Sequence, residues 1–156
     1  MILFTDGSAN TFSKVGYGAY LTLTEPEPSQ ENLSSQIKVK RFTQTSSTKL
    51  ELQTLLWALD DIQPATRKLT IYSDSQNIID LPARRSRLEQ NDYCTKRGKR
   101  LNNFLLYQEF YRLTDQRDCQ FVKVSGHLPI NQKNDIDRCF TLVDKAARIA
   151  LRVDNG

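Results

Sequence analysis

ILFTDGSA (residues 2–9) runs from four strand-forming residues directly into an aspartate and a glycine. Because side chains alternate along a strand, Asp6 shares a face with Ile2 and Phe4, a face expected to cover a core. A buried carboxylate is destabilising unless other groups neutralise it. The position of Asp6 therefore predicts partners elsewhere in the chain. The alternative is a plain turn, for which Asp-Gly is a common pair.

The order of elements predicts a mixed α/β sheet flanked by helices. Strands are predicted at residues 1–5, 15–24, 37–43, 68–74 and 119–124, and helices at residues 49–62, 75–82, 101–113 and 135–153. The first three strands form an antiparallel meander, and the last two return through helical crossovers. Pro82 is expected to stop the second helix. In such sheets, sites form where the carboxyl ends of parallel strands meet.

Four carboxylates stand out by position. Asp6 and Asp74 end two predicted strands, Glu51 lies in the first turn of a helix, and Asp144 lies in the apolar stripe of the last helix. Local structure offers alternatives, since Glu51 could complete a capping box begun by Thr48 and Asp74 could begin a helix. Asp144 has no such explanation, because an aspartate within a helix on its apolar face gains neither helix propensity nor burial.

Convergence of these carboxylates would create strong repulsion, which divalent cations relieve. Ligands that are all oxygen favour Mg²⁺ or Mn²⁺, and two such ions can activate water and stabilise the leaving oxygen in phosphodiester cleavage. The one histidine, His127, follows the last predicted strand. A lone histidine is usually a surface or packing residue, but one on a loop beside a metal site could shuttle protons.

Composition and charge limit the class of protein. The chain has 156 residues, the length of one domain, with no apolar run long enough to cross a membrane. The absence of a signal peptide and three cysteines without CxxC spacing predict a cytoplasmic protein, and we expect a monomer. Between Arg84 and Arg100, seven Lys or Arg face two acids, a local +5, while the rest of the chain sums to −1. This segment predicts a nucleic-acid partner; otherwise it is a solvated surface loop.

Five motifs together resemble the type 1 ribonuclease H family. In chain order they are TDGS with a following GYGA, TKLELQ opening a helix, YSDSQ at a strand end, SGH after a strand, and VDKAAR in the last helix. They span nearly the whole chain. The resemblance implies a single ribonuclease H-like catalytic domain over residues 1–156, with a mixed five-stranded sheet and a basic protrusion at about residues 82–100.

The resemblance also implies an endonuclease that cuts the RNA strand of an RNA–DNA hybrid, leaving 5′-phosphate and 3′-hydroxyl ends. Two Mg²⁺ ions, with Mn²⁺ as a possible substitute, would be bound by the carboxylates of Asp6, Glu51, Asp74 and Asp144. His127 matches the family's mobile histidine. The residues that would contact the hybrid are Ser8, Ser46, Ser47, Thr48, Gln76, Arg84, Arg85, Lys96, Arg97, Lys99 and Arg100.

The chain departs from the family's pattern in several places. Ser47 and Thr48 replace two asparagines, and Phe140 stands where an asparagine is usual before the last aspartate. The stretch from His127 to Asp144 is longer than usual, which leaves Asp137 as an alternative fourth carboxylate. Two other functions stay open: another nuclease or resolvase of the same fold, and a non-catalytic nucleic-acid-binding module with a degenerate site.

Overall fold

The structure is a computed structural model that describes residues 1–24, 33–62, 68–125 and 128–155. Its strands are β1 (Ile2–Asn10), β2 (Val15–Leu23), β3 (Lys38–Phe42), β4 (Leu69–Ser73) and β5 (Cys119–Lys123). The helices are α1 (Leu33–Gln36), α2 (Ser47–Asp61), α3 (Gln76–Gln90), α4 (Phe104–Asp115) and α5 (Asp135–Asn155), with a 3₁₀ turn at Ile130–Gln132. Among the residues described, no helix has the length and apolar character needed to cross a membrane.

The five strands form one sheet in the order β3-β2-β1-β4-β5. β1 and β2 pair antiparallel, as do β2 and β3, whereas β4 is parallel to both β1 and β5. The predicted mixed sheet, an antiparallel meander with two parallel strands beside it, is therefore confirmed.

β1 is longer than predicted, so Asp6 does not end the strand. β2 stays paired with β1 as far as Asn10, and Asp6 lies opposite Ala19 within this ladder. The parallel pairing with β4 covers only Ile2–Phe4. Asp6 therefore lies just beyond the end of the parallel pairing, and the alternative of a plain turn at Asp6 is wrong.

Helices cover both faces of the sheet. On one face, α2, α3 and α4 pack against a core that includes Leu3 and Ile71. On the other face, α5 packs against a core that includes Phe4 and Leu21. Because side chains alternate along β1, Leu3 enters the first core and Phe4 the second, and Asp6 follows Phe4 to the side of α5. The predicted face of Asp6 is confirmed.

Glycines let the start of α2 lie directly on the sheet. A Cβ at Gly18 would lie 2.1 Å from Oγ1 of Thr54, and one at Gly7 would lie 2.9 Å from the side chain of Leu50. Gly7 and Gly18 face each other across β1 and β2. Only residues without a side chain allow this approach, and it holds the first turn of α2 against Gly7, the residue after Asp6.

Pro82 does not end α3, which continues to Gln90. A proline removes one helical hydrogen bond, but Leu81 and Leu88 are buried on either side of it and hold the helix to the core. The Tyr111 hydroxyl also donates a 2.7 Å hydrogen bond to the carbonyl of Leu81. Burial on both sides of the proline outweighs the lost bond, so the prediction of a short helix was wrong.

Candidate active site

Glu51 lies in the first turns of α2 and is not part of a capping box. The N-cap is Ser46, whose hydroxyl accepts a 3.3 Å hydrogen bond from the backbone N–H of Lys49. A box beginning at Thr48 would start the helix two residues later, so that alternative is wrong. The half-buried Glu51 carboxylate instead accepts a hydrogen bond from the Ser75 hydroxyl.

Asp74 lies between the end of β4 and the start of α3, and it does not begin the helix. The N-cap of α3 is Ser75, whose hydroxyl accepts a 3.3 Å hydrogen bond from the N–H of Ile78. The Ser75 N–H in turn donates to the Ser73 hydroxyl at 3.1 Å. Ser75 therefore orders this junction and also binds Glu51, which brings α2 beside the end of β4.

Asp144 comes from the middle of α5, between buried Val143 and Ala147. Its carboxylate forms a 2.8 Å ion pair with Arg148 one turn later, and its side chain is 23% exposed. Asp137 lies at the start of the helix, where it exchanges hydrogen bonds with Asn134 at 3.1 and 2.8 Å. Asp137 thus caps α5, while Asp144 reaches the end of the sheet.

Asp6 connects the carboxylates electrostatically. It is only 9% exposed, and burial, the charge of Asp74 and a hydrogen bond with Asp144 together hold the pKa of Asp6 well above its usual range. A hydrogen bond between two carboxyl groups requires a proton on one of them. Burial and the charge of Asp74 also raise the pKa of Glu51, against the effect of Ser75. All four carboxylates predicted from the sequence therefore meet in one region, at the end of the parallel strands.

The four carboxylates do not close around a common point. Within the described ranges, no group of three or more Asp, Glu, Cys or His side chains is arranged to hold a metal ion. Two of the carboxylates have other partners: Glu51 accepts a hydrogen bond from Ser75, and Asp144 is paired with Arg148. Sequence reasoning missed both partners, although the four-residue spacing of Asp144 and Arg148 is typical of a helical ion pair.

The predicted hybrid-contacting residues near the carboxylates are accessible to different degrees. Ser46, Ser47 and Thr48 are exposed at the start of α2, and Ser8 is half-buried on β1. The amide of Gln76 donates to Asp80 at 2.8 Å and accepts from the Lys123 ammonium group at 2.6 Å. His127 lies outside the described residues.

The basic segment divides into two groups. Arg85 donates two hydrogen bonds, of 2.5 and 2.9 Å, to Asp115 on α4, and Arg100 forms a 2.9 Å ion pair with Asp92. Arg84 donates to Asn77 at 2.9 Å. These three arginines already have partners within the fold.

Lys96, Arg97 and Lys99 form the second group. They are exposed in a turn between Cys94 and Arg100, which are joined by an isolated β-bridge. None of these three side chains forms an ion pair with another described residue. Three of the seven positive charges of the predicted protrusion therefore lie together in this turn.

Comparisons with known proteins agree with this architecture. The sequence model of the RNase H family matches residues 1–150. No curated protein sequence matches the chain. The structure of the foamy viral protease-reverse transcriptase in complex with dsDNA is similar, with 11% sequence identity and a TM-score of 0.65 over 94% of this chain and 92% of that one. At that identity, the likeness to the viral protein shows the fold alone. The family match over nearly the whole length shows that the chain belongs to the RNase H family.

Proposed function

We propose that the protein hydrolyses the RNA strand of RNA–DNA hybrids in a reaction that requires divalent metal ions and leaves 5′-phosphate and 3′-hydroxyl ends. The observation that carries this proposal is Asp6, whose pKa is raised by its burial and by the neighbouring carboxylates of Asp74 and Asp144. Glu51 interacts with the same Asp74. Repulsion between these carboxylates destabilises the fold, and bound cations would relieve it. The cluster is therefore typical of a cation-binding site.

The residues fit a hard divalent cation in chemistry, but their present spacing must change. Asp6, Glu51, Asp74 and Asp144 offer only oxygen ligands, which suit Mg²⁺ and Mn²⁺. Glu51 also accepts a hydrogen bond from Ser75, and Asp144 is paired with Arg148, so a bound cation would share these carboxylates with those partners or displace them. When bound, two such ions supply an activated water and stabilise the leaving 3′-oxygen.

Other residues of the chain would bind and orient the hybrid. The backbone N–H groups at Ser47 and Thr48, at the open N-terminus of α2, can donate to a phosphate. Lys96, Arg97 and Lys99 would neutralise backbone phosphates without reading sequence. Gln76 would contact the minor groove, where 2′-hydroxyls distinguish RNA from DNA. His127 stays a prediction as the carrier of protons between water and product.

The test is cleavage of a labelled RNA–DNA hybrid with Mg²⁺, with Mn²⁺ and with chelator, beside duplex DNA and branched DNA of the same sequence. Metal-dependent cutting of the RNA strand alone supports the proposal. Preferred cutting of branched DNA would replace it with a resolvase activity. Hybrid binding without cutting in either metal would indicate a non-catalytic module.

A further inference from the structure

A cavity of about 250 Å³ opens beside the carboxylates, on the side of α5. Asp74 and Asp144 form part of its wall, so it is continuous with the candidate active site. The remaining wall includes Lys133, Lys145, Arg148 and Ile130. At this volume it lies just below the range of ordinary small-molecule sites, which is about 300–1,000 Å³. The cavity therefore suits a group smaller than a cofactor.

The charges of the cavity are unevenly satisfied. Asp144 is paired with Arg148, and Asp137, which also lines the cavity, is occupied in capping α5. Lys133 donates a 2.7 Å hydrogen bond to the neutral Thr141 hydroxyl. In the described part of the chain, neither Lys133 nor Lys145 takes part in an ion pair. Within the described residues, two lysines that form no ion pair thus line a cavity whose wall also includes the carboxylates of Asp74, Asp137 and Asp144.

An apolar side chain completes the wall. Ile130, in the 3₁₀ turn before α5, is 82% exposed and yet lines the cavity next to the lysines. Cationic groups beside an exposed aliphatic surface match the chemistry of a nucleotide unit, which carries a charged phosphate on an uncharged sugar. The lysines disfavour a cation in their part of the cavity, away from Asp74 and Asp144, and an apolar ligand would leave them unpaired.

We propose that this cavity binds a backbone phosphate of the strand that is cut, next to the scissile phosphate, with Lys133 and Lys145 as its cationic contacts. The proposal rests on the proposed function. Because the cavity shares Asp74 and Asp144 with the candidate active site, a phosphate held there belongs to the same strand as the scissile one. Phosphate contacts of this kind position a nucleic acid without reading its sequence.

The test measures hybrid binding by fluorescence anisotropy in chelator, where metal-dependent cutting does not take place. The variant K133Q/K145Q is compared with K38Q/K68Q, which removes two exposed lysines, one on β3 and one just before β4. Each phosphate contact adds about 0.9 to the slope of log affinity against log salt. Because both lysines are proposed to contact the same phosphate, we expect the slope to fall by about 1 in K133Q/K145Q and to stay unchanged in K38Q/K68Q. An equal fall in both variants, or no fall in either, would overturn the proposal.

Two further measurements separate a local role from a structural one. K133R/K145R keeps both charges, and we expect its salt slope to equal that of the wild type. Weaker hybrid binding by K133R/K145R at an unchanged Tm would contradict a phosphate contact. Hybrids with a single uncharged methylphosphonate locate the group. We expect one RNA-strand position where this change weakens wild-type binding but not binding by K133Q/K145Q. If the position with this behaviour lies on the DNA strand instead, the assignment to the strand that is cut is overturned.

The binding readout also keeps the two proposals apart. A fall in slope without any hybrid cleavage supports the phosphate site and refutes the nuclease. Cleavage with an unchanged slope refutes the phosphate site and leaves the nuclease in place.

Discussion

Arg148 lies one turn after Asp144 on α5, and its guanidinium group contacts the Asp144 carboxylate at 2.8 Å. The arginine side chain is 49% exposed, so it can move into solvent without leaving a buried charge. The same carboxylate shares a hydrogen bond with Asp6. Asp144 therefore has, besides Asp6, an exposed cationic partner that would compete with a metal ion for its oxygens.

Replacing Arg148 with glutamine should strengthen metal binding. Ion pairs with four-residue spacing on helix surfaces contribute about 0.3–0.5 kcal/mol, so removing the competing guanidinium group should lower the Mg²⁺ dissociation constant by about twofold. Calorimetric titration of the protein without substrate measures this directly. Arg152→Gln, one turn further along α5 and exposed, is the control of equal charge. Weaker metal binding in Arg148→Gln than in Arg152→Gln would show that Arg148 supports the site.

Asp6→Asn should abolish cleavage and at the same time stabilise the metal-free protein. The amide keeps the shape of the carboxyl group but removes the cost of either charging it or keeping it protonated at neutral pH, a cost that burial, Asp74 and Asp144 impose. In a domain of this size each kcal/mol of stability raises Tm by about 2–4 °C, and we expect a rise of a few degrees in chelator. Melting curves and hybrid cleavage on the same preparation check both effects. Activity at the wild-type level would remove Asp6 from the proposed site.

Asp74→Asn should likewise abolish cleavage while the protein stays folded. Asp74 interacts with both Asp6 and Glu51, so it occupies the centre of the carboxylate group. The substitution removes one negative charge and one carboxylate oxygen and leaves the other three carboxylates in place. Cleavage assays in Mg²⁺ and Mn²⁺, with circular dichroism as a control for folding, check this. Rates unchanged in both metals would contradict a role for Asp74 in metal binding.

Alternation in ILFTDGSA was enough to place Asp6 on the face of Phe4, because every residue there follows the strand period. Helix starts were harder to predict. Ser46 and Thr48 are both good N-caps, and packing of the buried Leu50 against Gly7 and Gly16 settles the choice in favour of Ser46. Local sequence does not contain that contact.

Non-local contacts explain the other differences. Arg85 was predicted to contact the hybrid because it lies in a basic segment, but its partner Asp115 is 30 residues away. The continuation of α3 through Pro82 depends on burial of Leu81 and Leu88 by distant elements. For α3 the breaker rule read along the chain was overridden by tertiary packing, whereas the hybrid contact of Arg85 stays a prediction.

Gly18→Ala should destabilise the protein and displace the start of α2. The new Cβ would lie 2.1 Å from Thr54 Oγ1, and that hydroxyl is fixed by a 2.7 Å hydrogen bond to the Leu50 carbonyl. Overpacking of this kind usually costs about 1–3 kcal/mol, and it would move Glu51 away from Asp74. Chemical denaturation measures the loss. G18A/T54A removes the opposing atoms and should recover part of the stability; no recovery would locate the strain elsewhere.

The two groups of basic residues should respond differently to substitution. Arg85→Gln breaks the contact between α3 and α4, and an exposed pair of this kind contributes about 0.2–1 kcal/mol, so we expect a small loss of stability. Asp115→Asn should give a similar loss, because it removes the same pair. K96Q/K99Q should leave stability unchanged and reduce the salt dependence of hybrid binding by a slope of about 2. Urea denaturation and anisotropy titrations on the three variants make the comparison. If Arg85→Gln also lowers the salt slope of hybrid binding and leaves stability at the wild-type level, Arg85 contacts the hybrid as the sequence predicts.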